Sequence, residues 1–83
     1  MYSIEFTELA EKQFGKLDKE IQERIVKALE RIRIRPEAYL EKLVGESGYK
    51  FRVGDYRLFI DLDGEKFTVL VLKMGHRKNF YKK

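Results

Sequence analysis

The chain has no cysteine and no tryptophan, and only one proline and one histidine. Without cysteine there is neither a disulfide framework nor a thiolate metal site, which suits a reducing cytoplasm. A lone histidine cannot assemble a zinc site of the usual kind, and no cofactor is expected. Long apolar runs are missing too. The longest aliphatic stretch, Val69 to Leu72, is far too short to cross a bilayer. The first residues read as an alternating strand and not as a basic leader followed by an apolar segment, so no export signal is expected. Internal repeats, low-complexity tracts and linkers are also absent.

What remains is compact and charged. At 83 residues and 10.0 kDa the chain has room for one domain spanning residues 1–83. A domain of this size buries roughly 60–65% of its unfolded surface. Hydrophobic residues make up 43% and charged residues 39%, the balance of a folded soluble protein. The net charge of +4 is unevenly held: residues 1–41 carry −1 and residues 42–83 carry +5. Lys73–Lys83 contains five Lys or Arg, His76 and two aromatics, with no acid. Clustered cations with interleaved aromatics are the footprint of a nucleic-acid surface, against the blander reading of a solubilising tail.

Local patterns give the element order. Tyr2, Ile4 and Phe6 alternate with polar residues as a first strand. Thr7 is placed to cap a helix whose first turn carries Glu8 and Glu11, and Gly15 weakens that helix so that it ends near Leu17. Asp18 caps a second helix with Ile21, Ile25, Ala28, Leu29 and Ile32 on one face, bounded by Pro36. On its wet side, Glu20–Arg24 and Glu23–Lys27 form i,i+4 pairs. Residues 37–48 form the longest connection, with Leu40, Leu43 and Val44 dipping into the core. Strands are expected at about 49–53, 56–62 and 66–74. Asp63-Gly64 reads as a tight type I′ turn, which sets Ile60 against Phe67 and Leu58 against Val69. Phe6, Phe14 and Phe51 are expected in the core, and Asp61, Asp63 and Glu65 at a solvated hairpin tip. The expected fold is α+β: a strand, a helical hairpin, then a three-stranded antiparallel meander with the helices packed on one face.

Residues 48–59 say most about function. Gly54-Asp55 is a two-residue type II′ loop, which sets Val53 opposite Tyr56, Arg52 opposite Arg57 and Lys50 opposite Phe59. Opposed arginines repel and weaken a sheet, so the arrangement points to an anionic ligand. The opposite face of the sheet from the apolar one then carries Lys50, Arg52, Arg57, Phe59, Asp61, Thr68 and Leu70. Regular extension of the last strand brings His76 onto the cationic face; a bulge or bend at Gly75 would bring Arg77 there instead.

The segments YSIEFTELAEKQFGKL, RIRIRPEAYLEKLVG, YKFRVGDYRLFI and VLVLKMGHRKNFY, in this order, resemble the RelE-type toxins of toxin–antitoxin modules, within the RelE/ParE superfamily. The resemblance spans essentially the whole chain. It implies a metal-independent endoribonuclease acting on mRNA in the ribosomal A site through attack of a 2′-hydroxyl on the adjacent phosphate. It also implies a cognate RelB-like antitoxin in a hetero-oligomeric complex, and a cytoplasmic protein. The family's functional positions fall on Lys50, Arg52, Arg57, Arg77 and Tyr81. Arg57 and Arg77 suit phosphate clamping, because a guanidinium fork matches two phosphate oxygens. Lys50, set among other cations, is the lysine suited to proton transfer. Arg52 replaces a lysine of several relatives and can stabilise charge but not readily donate a proton. His76 is the alternative acid or base, and Tyr81 is suited to stacking a base or fixing the 2′-hydroxyl. The alternative reading within the superfamily is a ParE-like, non-catalytic DNA gyrase inhibitor.

Overall fold

The computed structural model describes residues 1–45 and 47–80, with backbone alone for Asn79 and Phe80. The order is β1 (Ser3–Phe6), α1 (Glu8–Gly15), α2 (Lys19–Ile32), a 3₁₀ turn (Pro36–Ala38), β2 (Glu41–Lys42), β3 (Tyr49–Val53), β4 (Tyr56–Asp63), β5 (Thr68–His76) and α3 (Arg77–Phe80). The expected α+β class, helical hairpin and meander are present. The sheet is wider than the meander, with five strands in the order β1-β5-β4-β3-β2. β1 joins through parallel pairing with β5, from Ser3 against Thr68 to Phe6 against Val71. β2 falls inside the stretch read as connection and pairs Glu41 with Lys50 and Lys42 with Tyr49.

The helices cover one face of this sheet. Ala10, Ile25, Leu29 and Ile32 meet Phe51, Val53, Leu58, Ile60, Val69, Val71 and Met74 in a single buried cluster. Phe6 and Phe14 are half-buried against it and touch edge to face at 5.5 Å. Each buried aliphatic side chain contributes about 1.5–3 kcal/mol, so this face alone can outweigh unfavourable charge on the other. Among the described residues the ion pair present is Glu30–Arg33, not Glu20–Arg24 or Glu23–Lys27.

The β3–β4 hairpin has the expected register, with Gly54 at φ +60. The β4–β5 hairpin does not. Asp63 pairs with Thr68, so the loop spans residues 64–67, and Ile60 stands opposite Val71, not Phe67. The Asp63 carboxylate accepts the N–H groups of Glu65 and Lys66, both at 3.1 Å, which builds a wider turn than the tight one expected. Phe67, with φ +49, ends that turn and is 55% exposed rather than in the core. Val44 is 98% exposed, whereas Leu40 and Leu43 are partly buried as expected.

The irregularity in β5 lies at Leu72, not Gly75. Phe59 pairs with Lys73 while the next residue, Ile60, pairs with Val71, leaving Leu72 as the extra residue. α1 holds this bulge. The Thr7 hydroxyl donates to the Leu72 carbonyl at 2.6 Å while accepting from the Ala10 N–H as the helix N-cap. The Gln13 carboxamide oxygen accepts the Met74 N–H at 2.7 Å. Thr7→Ala removes both the cap and the anchor. It is expected to lower unfolding free energy by about 1–2 kcal/mol in urea titrations and to speed amide exchange at Met74.

Candidate nucleic-acid interface

The Leu72 bulge decides which β5 residues share a face with the arginines. Before it, Val69 and Val71 point to the helices; after it, Met74 does. Lys73 and Gly75 therefore move to the open face. One row across that face is Glu41, Lys50, Phe59 and Lys73, and the next is Arg52, Arg57 and Gly75. The Lys73 ammonium lies over the Phe59 ring, 5.1 Å from its centroid.

Glu41, Lys50, Phe51, Arg52 and Arg57 line one small recess beside β3. Arg57, on the central strand β4, is 7% exposed, whereas Arg52 on β3 is open to solvent. A guanidinium held that deeply has few arrangements, so its orientation is fixed by the fold. Glu41 and Lys73 are not among the individually expected site residues, although Lys73 opens the basic C-terminal cluster. Glu41 places a carboxylate beside Lys50, which moderates the repulsion among cations there. Lys73 reaches this face only because of the bulge.

Of the other expected site residues, Arg77 opens α3, and its backbone N–H donates to the Asp55 carbonyl at 2.7 Å. That bond ties the start of the C-terminal segment to the β3–β4 turn. His76 lies on the helix side, contrary to the regular-extension reading, because the bulge inverts the alternation. It pairs with Tyr56, their rings edge to face at 5.3 Å, and its Nδ1 accepts the Lys78 N–H at 3.2 Å. His76 is thereby separated from Lys50, Arg52 and Arg57 by the thickness of the sheet. Tyr81 lies outside the described residues.

A family model described as ParE toxin of type II toxin–antitoxin system matches residues 4–81. The chain belongs to this toxin family. Solved structures similar to it include RelE proteins. Similarity to the RelBE2 toxin–antitoxin complex of Mycobacterium tuberculosis has a TM-score of 0.83 at 32% identity, covering 92% of this chain and 98% of that one. The intact Escherichia coli RelBE complex gives 0.80 at 32% identity, covering 92% and 96%. The RelB–RelE complex of Methanococcus jannaschii gives 0.75 at 26%, covering 93% and 94%. No curated protein matches significantly. The toxin therefore has a RelE-like fold within the RelE/ParE superfamily, as its sequence resemblance implies. Among its described residues, no helix is long and apolar enough to cross a membrane.

The opposed arginines should leave a measurable mark on the toxin. Arg52→Gln is expected to raise unfolding free energy by about 0.2–1 kcal/mol at low ionic strength. The gain should shrink as salt screens the repulsion. Parallel denaturant titrations at low and high salt check both.

Proposed function

We propose that the toxin is a ribosome-dependent mRNA endonuclease, cutting in the A site by attack of a 2′-hydroxyl on the adjacent phosphate. The observation that carries this reading is the recess in which buried Arg57 and exposed Arg52 stand opposite each other beside Lys50. In the reaction the 2′-oxygen forms a bond to phosphorus as the bond to the 5′-oxygen breaks. The products are a 2′,3′-cyclic phosphate and a free 5′-hydroxyl. Negative charge builds on the phosphate oxygens in the transition state, and fixed cations stabilise that charge more than the ground state. Arg57 is the principal clamp, and Arg77 adds a second donor set from the start of α3. Arg52 neutralises charge, and Lys50 moves the proton. Tyr81 stacks a nucleobase or fixes the attacking hydroxyl. His76, bonded to the Lys78 N–H on the helix side, positions the C-terminal segment that carries Arg77.

A cytoplasmic nuclease of this kind needs silencing, and the complexes of its RelE neighbours support a RelB-like antitoxin bound in a hetero-oligomer. The ParE name of the matching family prompts a second reading, a ParE-like, non-catalytic inhibitor of DNA gyrase. Toeprinting on translating ribosomes separates them. A-site cuts are the expected result; intact mRNA with gyrase-linked DNA breaks supports the second reading. Arg57→Ala is expected to slow cutting by about 10²–10³-fold. Arg57→Lys, which keeps the charge but not the fork, should recover only part of the rate. Circular dichroism of both variants checks that the fold survives.

A further inference from the structure

Phe59 lies on the face of the sheet that the helices leave uncovered. Tyr49, Phe51 and Tyr56, the other aromatics of β3 and β4, alternate to the helix side. Among the described residues, neither the buried cluster nor the apolar side chains packed against it include Phe59. It stands opposite Lys50 on β3 and Lys73 on β5, so lysines flank it on both sides. Its ring is partly exposed beneath the Lys73 ammonium, and Lys73 itself is open to solvent. An exposed cation–π contact is weak, and a flat group can compete for the same ring face.

The surroundings of this ring are polarised. Along β4 it follows Arg57 by two residues, a rise of about 6.6 Å on the same face. Beside Arg57 on β5 is Gly75, which adds no side chain over that part of the sheet. Beyond Phe59 the charge reverses. Asp61, the next outward residue of β4, lines a recess with Glu5, Asp63 and Lys66. Phe59 therefore marks the border between a cationic half of the face and an acidic one. A phosphate chain is drawn to the first and repelled by the second, so an uncharged base suits the ring.

We propose that Phe59 is a stacking platform for the base of a nucleoside adjoining the phosphate held at Arg57, with Lys73 as its displaceable cover; the proposal rests on the nuclease reading above. On binding, the Lys73 ammonium leaves the ring face and the base takes its place. Lys73 and Lys50, one on each side of the ring, then meet the flanking phosphate. Stacking of a base on an aromatic ring is stronger than an exposed cation–π contact, so the exchange favours the bound state. Stacking reads no hydrogen-bonding edge. Phe59 therefore accepts every base and prefers those with the larger flat surface, the purines. The competing role for Phe59 is an inert spacer between two lysines, in which ring and base act independently.

A double-mutant cycle on programmed ribosomes separates these roles. The toxin and its Phe59→Leu variant are compared on messages in which each nucleoside flanking the cut is, in turn, adenosine or a ribose carrying hydrogen in place of its base. Removing the stacked base is expected to raise the toxin concentration for half-maximal single-turnover cleavage about tenfold or more. Phe59→Leu should cost about as much, and both changes together no more than either alone. Phe59→Trp, which keeps a flat ring, should restore the dependence on the base, and circular dichroism checks the fold of both variants. Additive losses, or a Phe59→Leu toxin as effective as the unmodified one, would overturn the proposal and leave the nuclease reading standing. A binding measurement covers the converse case. An oligodeoxyadenylate, which lacks the attacking hydroxyl, is titrated into isotope-labelled full-length toxin and followed by NMR. Upfield shifts of the Phe59 ring protons are expected; in a toxin that leaves A-site mRNA intact they would support the platform and count against the nuclease. Ring protons that stay in place while Arg52 and Arg57 resonances move would overturn the proposal.

Discussion

Two like charges set directly across a strand pair are the constraint around which the rest of this molecule is arranged. Arg52 and Arg57 face each other in a register that a two-residue loop does not allow to slip. Such a pair destabilises a sheet by about 0.2–1 kcal/mol, while each aliphatic side chain buried beneath contributes about 1.5–3 kcal/mol. The division between faces follows from those magnitudes. Leu58, Ile60, Val69, Val71 and Met74 secure the strands from the helix side, and the open face is left to accumulate charge.

The bulge at Leu72 makes that accumulation possible on β5. A regular strand could not bury both Val71 and Met74 on one face, because they are an odd number of residues apart. The extra residue reconciles them and brings Lys73 into line with Lys50 across Phe59. Thr7 and Gln13 on α1 hold the bulged backbone. A helix that contributes nothing directly to the cationic face thus helps determine its composition.

Much of this was legible from local chemistry. Gly54-Asp55 sets the register of the arginines by itself, and the apolar stripe of α2 predicts the residues it buries. The bulge was not legible because Leu70, Val71 and Leu72 are all aliphatic, and a run without alternation hides an extra residue. Asp63-Gly64 suggests a tight turn, but the Asp63 side chain satisfies two backbone N–H groups and opens a wider loop. β2 is only two residues long and exists through pairing with a distant strand, so no local pattern announces it. The parallel partner of β1 is likewise non-local. Arg24 and Lys27 looked like the wet side of an isolated helix; only the placement of β3 turns them into a groove wall. Of the candidate site, Lys50, Arg52 and Arg57 converge as the alternation implies, whereas the position of His76 depended on the bulge.

The central claim is that this cationic face acts on an RNA phosphate attacked by its own neighbouring hydroxyl. The most direct measurement is cleavage of a programmed mRNA on stalled ribosomes, with a single 2′-deoxynucleotide placed on the 5′ side of the scissile A-site phosphate. The account predicts cutting of the all-ribose message, a 2′,3′-cyclic phosphate on its upstream fragment, and no cut at the deoxy position. Cutting of the deoxy-substituted message at that phosphate would contradict it.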